Sequence, residues 1–158
     1  STLSPSSAAS DVYKRQVIDA SIGVKWYIPE DYSDLALGIL KILEKPSTRL
    51  CAPISFKVEF TNAIRKYLIR GIISKEIAND ILIEIENVPI KYYDLTWKLV
   101  RNAFKYAIQR NITVYDAIYI VLTKELSARF ITADKKLYSA IQDESGVVFI
   151  TDVKMKLA

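Results

Sequence analysis

The sequence predicts an α/β fold with three layers, α/β/α, and a mainly parallel central sheet. Short apolar segments of strand length alternate along the chain with longer segments whose apolar residues recur at helical spacing. The chain has no dipeptide of the Asn-Gly type, which would indicate a hairpin between antiparallel strands. With 158 residues, of which 51% are hydrophobic, it is long enough for one domain with a substantial core.

Five strands and seven helices are predicted along the chain. The strands cover 17–21, 49–52, 88–92, 129–134 and 146–152. The helices begin near Ile22, Ser33, Pro53, Ser74, Asp94, Thr113 and Lys135. From hydrophobicity alone, the helix over 94–110 is expected to bury Leu95, Leu99, Phe104 and Ile108.

Residues 1–16 are predicted to lie outside the folded domain. Their first ten, STLSPSSAAS, are small and polar and show no apolar periodicity. They contain no apolar core segment, so they do not have the pattern of a secretory signal. We therefore expect 1–16 to be a non-native or disordered leader and 17–158 to form a single domain.

The composition excludes several kinds of chemistry. The chain has no histidine, which excludes histidine general bases, Ser-His-Asp triads and histidine-ligated zinc. Its single cysteine, Cys51, excludes an internal disulfide and is typical of a reducing compartment, so we expect a cytoplasmic protein.

The four glycines are isolated, which argues against a glycine-rich phosphate loop. No apolar run approaches the roughly 18 residues of a membrane-spanning helix. The net charge of +4 permits an anionic partner.

Four acidic residues each interrupt or end an apolar segment. Asp19 and Asp134 end predicted strands. Glu59 falls within the apolar stripe of a predicted helix, and Asp116 lies in a helical segment, 114–122, whose other eight residues are apolar or aromatic. Because carboxylates are rarely buried without a partner, all four need an explanation.

Any one of these acids could be a helix cap. Asp116, for example, lies three residues after Thr113, which is the spacing of a capping box. Four such acids together are better explained by one shared site, since ligands bind beyond the carboxyl ends of parallel strands. Like charges repel, so this site needs a cation. Oxygen ligands without histidine or cysteine favour Mg²⁺ or Mn²⁺, the ions with which carboxylates commonly support phosphodiester hydrolysis.

Four motifs carry a resemblance to a known family. In chain order they are VIDAS, PxxxxxEFTNAIRK, YDAIYIVLTKEL and FITADKKLY, and together they span about residues 17–152. Each motif is weak alone, but their order and spacing resemble the PIN domain, in particular the VapC-type ribonuclease toxins of prokaryotic toxin–antitoxin pairs.

The resemblance implies a site, an activity and partners. Asp19, Glu59, Asp116 and Asp134 match the acidic quartet that binds Mg²⁺ or Mn²⁺ in the family, and Thr132 matches a hydroxyl position beside the metal. The implied activity is hydrolysis of single-stranded RNA by an endoribonuclease. The implied partners are the RNA, a small VapB-like antitoxin protein and a second copy of the chain in a homodimer.

Further residues are weaker candidates. Ser21, two residues after Asp19, resembles Thr132 in its spacing from an acid, and Asp152 is a candidate fifth acid. Four lysines are candidate phosphate contacts, although a lysine of this kind is more often simply solvated: Lys25, Lys57, Lys66 and Lys135.

Two other functions stay open at this point. An aspartyl-phosphate phosphohydrolase or phosphoacceptor also places aspartates at strand ends. Phosphohydrolases of that kind usually carry two aspartates separated by one residue, whereas here Ser21 occupies the second position after Asp19. The other function is a non-catalytic RNA-binding module in which the acids serve only as caps.

Overall fold

A computed structural model describes residues 14–153. These residues form one five-stranded sheet in the order β3-β2-β1-β4-β5, and every neighbouring pair is parallel. The strands are β1 (Arg15–Ile18), β2 (Arg49–Pro53), β3 (Ile90–Tyr93), β4 (Arg129–Thr132) and β5 (Val147–Phe149). The predicted parallel sheet is confirmed.

Helices cover both faces of the sheet. They are α1 (Ala20–Lys25), α2 (Ser33–Leu40), α3 (Ser55–Ile69), α4 (Lys75–Glu84), α5 (Trp97–Arg110), α6 (Val114–Glu125) and α7 (Lys135–Ile141). Short 3₁₀ turns follow α2, α4 and β5, at Lys41–Glu44, Ile85–Asn87 and Ile150–Asp152. Within residues 14–153, no helix combines the length and the apolar character needed to cross a bilayer.

Alternation along the strands produces two cores, because successive strand residues point to opposite faces. On one face, Ile18 and Ile131 join the apolar sides of α1 to α4. On the other, Val17 and Phe130 join α5, α6 and α7. Both faces of the sheet are therefore buried, as the predicted three-layer α/β/α arrangement requires.

The predicted boundary at residue 17 is two residues late. Arg15 and Gln16 belong to β1, where they are aligned with Arg49 and Leu50 of β2. Gln16 is only 2% exposed, and its Oε1 accepts a hydrogen bond of 2.7 Å from Arg129 Nε. The polar character of these residues concealed the start of the strand. Residues 1–13 of the predicted leader, and 154–158 of the predicted domain, lie outside the described residues.

Two other expectations were wrong. Pro53 is the last residue of β2, aligned with Tyr93 of β3, and α3 begins only at Ser55. In α5, Phe104 and Ile108 are 57% and 66% exposed. The buried face of α5 consists of Leu99, Ala103, Tyr106 and Ala107.

The strand order locates the functional edge of the sheet. From β1 the chain adds β2 and β3 on one side, and then β4 and β5 on the other. The order therefore reverses between β1 and β4, and such a reversal opens a crevice at the carboxyl ends of the two strands. Asp19 follows β1 directly, and Asp134 follows β4 by two residues.

Candidate active site

Asp19 is the deepest of the four acids. It occupies the position before α1, yet its side chain makes no capping hydrogen bond to that helix. The carboxylate instead accepts hydrogen bonds from two hydroxyls: Thr132 Oγ1 donates to Oδ2 at 2.5 Å, and Ser21 Oγ donates to Oδ1. The residue is 6% exposed. The alternative that Asp19 is merely a helix cap is therefore not what the structure shows.

Main-chain groups fix the direction of these two hydrogen bonds. The Ala133 N–H donates to Ser21 Oγ at 3.1 Å, and the Asp134 N–H donates to Thr132 Oγ1 at 3.0 Å. Because each hydroxyl accepts from an N–H and carries only one proton, that proton is directed to Asp19. The turn between β4 and α7 thus holds the carboxylate at the end of β1.

Asp134 lies at the rim of the same edge. Its Oδ1 accepts a hydrogen bond of 3.0 Å from the Leu137 N–H, so it caps α7. The residue is exposed, and its charge is one cause of the raised pKa values of Asp19 and Asp116. Asp134 is therefore both a cap and a member of the acidic cluster.

Glu59 enters the site from α3, in the second turn of that helix. It is half-buried, and its Oε2 accepts a hydrogen bond of 2.6 Å from the hydroxyl of Tyr119 on α6. Burial raises the pKa of Glu59 to about 7, the bond from Tyr119 opposes that effect, and the charges of Asp116 and Asp19 add to it. Glu59 is therefore close enough to Asp116 and Asp19 for their charges to act on it.

Asp116 lies in the first turn of α6. Its N–H donates to Thr113 Oγ1 at 3.1 Å, so Thr113 caps the helix as the sequence predicts. The Asp116 side chain is half-buried, while the residues that follow it, from Ala117 to Thr123, are all buried. Burial raises the pKa of Asp116, the charge of Asp134 raises it further, and the charge of Lys136 opposes both.

The four acids interact electrostatically as one group. Burial raises the pKa of Asp19 from 3.8 to about 6, against the opposing effect of its two hydroxyl hydrogen bonds. The charge of Asp134 acts on Asp19 and Asp116, and the charges of those two acids act in turn on Glu59. Within residues 14–153, no lysine or arginine forms an ion pair with any of the four. The negative charge at this edge is therefore not neutralised by an ion pair with a lysine or arginine side chain.

The donor set fits a hard cation in its chemistry. It offers carboxylate oxygens flanked by the hydroxyls of Ser21 and Thr132, with no sulfur or imidazole, and Mg²⁺ and Mn²⁺ prefer such ligands. Across the described part of the chain, no three Asp, Glu or Cys side chains are arranged to hold a metal ion as they stand. Because uncompensated carboxylates repel one another, a bound cation would have to draw them together.

Comparison with known proteins identifies the family and agrees with the fold. A family model described as the PIN domain matches residues 17–141, which contain all four acids. The chain belongs to the PIN domain family. It is 27% identical over 123 residues to Ribonuclease VapC3 of Pyrobaculum aerophilum, a match that covers 77% of this PIN domain chain and 90% of the relative.

Solved structures share the fold at lower identity. PAE2754 from Pyrobaculum aerophilum superposes with a TM-score of 0.64 at 18% identity, over 89% of this chain and 85% of that one. A toxin–antitoxin complex from Klebsiella pneumoniae has a TM-score of 0.61 at 12% identity, over 85% and 97%. VapC20 of Mycobacterium tuberculosis, a sarcin-ricin loop cleaving toxin, has a TM-score of 0.60 at 12% identity, over 79% and 94%.

The weaker candidate residues of this PIN domain have different environments. Ser21 is hydrogen-bonded to Asp19. Asp152 is exposed on the 3₁₀ turn after β5, and β4 lies between β5 and β1 in the sheet. Lys25 Nζ forms an ion pair with Glu30 at 3.0 Å, so its charge already has a partner.

The other three candidate lysines are exposed. Lys57 Nζ lies 4.6 Å from the ring centroid of Tyr92, and Lys135 Nζ lies 5.9 Å from that of Tyr32. For them and for Lys66, contact with phosphate stays a prediction.

Sequence reasoning missed Tyr119. Its hydroxyl donates a hydrogen bond to Glu59, but the residue stands in an apolar run whose composition indicates only a buried helix. One signal could have found it, because Tyr119 follows Asp116 by three residues and so shares a helical face with that acid.

Proposed function

We propose that this PIN domain is a metal-dependent endoribonuclease that hydrolyses phosphodiester bonds of single-stranded RNA. The observation that carries the proposal is a group of four acids linked by their charges near the carboxyl ends of β1 and β4, with Asp19 held by Thr132 and Ser21. Negative charge concentrated at a switch point, with no lysine or arginine ion pair to any of the four acids among residues 14–153, favours a bound cation.

Asp19, Glu59, Asp116 and Asp134 are the residues that would hold Mg²⁺ or Mn²⁺. When bound, such an ion orients the phosphate, lowers the pKa of the attacking water and stabilises the leaving oxygen. The protein supplies placement and charge. Thr132 fixes the carboxylate of Asp19, and partial burial reduces the screening by water, which strengthens the attraction to a cation.

The biological setting is part of the proposal. The relative in Pyrobaculum aerophilum is a ribonuclease, and a structural neighbour is a toxin–antitoxin complex. On that basis we propose that the chain acts in the cytoplasm as the toxin of such a pair, that a small VapB-like antitoxin protein inhibits it, and that it forms a homodimer. Co-purification with a small protein encoded beside it tests the antitoxin, and light scattering at several concentrations tests the dimer.

Cleavage of RNA tests the activity. The wild-type protein should cut single-stranded RNA with Mn²⁺ or Mg²⁺ and lose that activity in EDTA. Asp19→Asn and Asp116→Asn should be folded by circular dichroism but inactive, whereas Asp80→Asn, at an exposed position on α4, should be active. Full activity of either site variant, or undiminished cleavage in EDTA, would contradict the proposal.

The structure does not favour a phosphoacceptor role for Asp19. A phosphoacceptor does not require a group of interacting acids around it, whereas here the charges of Asp19 and Asp116 both act on Glu59 of α3. A stable acyl-phosphate on Asp19 after treatment with a small phosphodonor would reverse this preference. A non-catalytic RNA-binding module would show no Mn²⁺-dependent rise in melting temperature, whereas a cation site must show one.

A further inference from the structure

Tyr119 links α6 and α3, the two helices that carry Asp116 and Glu59. Its hydroxyl on α6 donates to Glu59 Oε2 on α3 at 2.6 Å. The residue is 1% exposed, and its ring lies against Phe130 of β4 with centroids 5.8 Å apart. The ring is therefore held by the core, so the phenol oxygen has a fixed position at the site.

Glu59 needs a contact of this kind to stay in place. Its side chain is half-buried, and the charges of Asp116 and Asp19 both act on it. A glutamate has three rotatable side-chain bonds, and like charges nearby favour rotamers that point to solvent. Within residues 14–153, Tyr119 is the side chain that donates a hydrogen bond to the Glu59 carboxylate.

We propose that Tyr119 is the positioning residue for Glu59. The phenol fixes one carboxylate oxygen of Glu59 beside Asp116 and Asp19, so that the other oxygen can contribute to a shared cation site. Tyr119 itself touches neither the cation nor the RNA. The inference rests on the proposed metal site, and it deepens that site by assigning the group that holds its helix-borne glutamate.

Tyr119→Phe isolates this role because it removes only the hydroxyl. The ring should keep its contact with Phe130, while Glu59 loses its donor and can turn away from the other acids. Outer groups that orient metal ligands typically contribute about 10–100-fold to metal affinity. We therefore expect the dissociation constant for Mn²⁺ to rise by about 10-fold or more.

Tyr106 supplies a matched control. It is also a buried tyrosine, 7% exposed, and its hydroxyl donates to a glutamate, Glu144, at 2.9 Å. Glu144 also accepts from Arg110 and Lys124 and is not one of the four acids. Tyr106→Phe therefore removes an equivalent hydrogen bond outside the site, and it should leave Mn²⁺ affinity unchanged.

The decisive experiment is a double-mutant cycle on Mn²⁺ binding. The free ion is measured by electron paramagnetic resonance in the wild type, Tyr119→Phe, Glu59→Gln and the double variant, with Tyr106→Phe alongside. If Tyr119 acts through Glu59, its loss should weaken binding in the wild-type background and have no further effect beside Glu59→Gln.

Three outcomes would overturn the inference. Unchanged Mn²⁺ affinity in Tyr119→Phe would overturn the positioning role without contradicting the proposed function. An equal loss of affinity in the wild-type and Glu59→Gln backgrounds would do the same, because it would mean a general disturbance of the core. A wild type that binds no Mn²⁺ would overturn the metal-dependent function as well. RNA cleavage by a Tyr119→Phe variant with normal Mn²⁺ affinity would leave the proposed function standing and refute only the positioning role.

Discussion

Replacing Asp19 by asparagine should change how the stability of the metal-free protein depends on pH. In an unfolded chain this carboxyl has a pKa near 3.8, and in the folded protein burial raises it to about 6. Between these values the folded state keeps a proton that the unfolded state releases. The free energy of unfolding therefore falls as pH rises from about 4 through about 6, and it stays lower above that range.

The size of the effect follows from the two pKa values. Each pH unit between them corresponds to about 1.36 kcal/mol, and at pH 4 the unfolded carboxyl is already more than half ionised. Asp19 should therefore lower the stability of the wild type by about 2 kcal/mol between pH 4 and pH 8. An asparagine side chain does not titrate, so the Asp19→Asn variant lacks this loss. The asparagine amide also faces two hydroxyls that both donate, which destabilises the variant, but that cost is the same at both pH values.

The measurement is urea unfolding of wild type and Asp19→Asn in EDTA at about pH 4 and about pH 8. The variant should gain about 2 kcal/mol relative to the wild type between the two conditions. Because the Asp19 charge also raises the pKa of Glu59, its removal adds to the difference in the same direction. If the stability of the variant relative to the wild type does not change with pH, the conclusion that Asp19 is a buried carboxyl with a raised pKa is refuted. Asp80→Asn, at an exposed site, is the control.

Three further outcomes are expected. Mn²⁺ should raise the melting temperature more at about pH 8 than at about pH 5.5, because Glu59, with a pKa of about 7, binds a proton instead of the cation at the lower pH. An equal rise at both pH values would argue against carboxylate ligation. Thr132→Val should destabilise the protein by about 1–3 kcal/mol in urea and reduce RNA cleavage, because Asp19 loses a donor in a fully buried place; unchanged stability and activity would exclude this role. In urea, Ala103→Leu should lower the free energy of unfolding by about 1–3 kcal/mol, whereas Phe104→Ser should change it by less than about 0.5 kcal/mol. A larger loss in Phe104→Ser than in Ala103→Leu would contradict the observed buried face of α5.

The sequence was informative about the site because the fold places strand ends predictably. Asp19 and Asp134 each follow a short apolar strand, and carboxyl ends of neighbouring parallel strands must meet at one edge. The spacing of Thr113 from Asp116 likewise predicted a cap that the structure contains. Local patterns of this kind suffice because each depends on residues that are close along the chain.

Other features depend on contacts that no local pattern reveals. The partner of Glu59 is sixty residues away, on a helix whose apolar sequence made Tyr119 look like ordinary core. In α5, hydrophobicity pointed to Phe104, but the helix faces the core through a different set of residues, in which Ala103 and Ala107 accompany Leu99 and Tyr106. Small side chains allow two helices to approach closely, so packing against α6 takes precedence over hydrophobicity there.

The manner in which Asp19 is held leaves its charge available to the proposed cation. A lysine or arginine beside a buried carboxylate would neutralise it and leave nothing for an ion to bind. Hydroxyl donors act differently, since Ser21 and Thr132 stabilise the anion by hydrogen bonds but leave its net charge in place. The same holds for Glu59, whose partner is a phenol. Neutral donors thus hold these two acids in position while their repulsion persists, and the free energy of that repulsion is what a bound divalent cation would relieve.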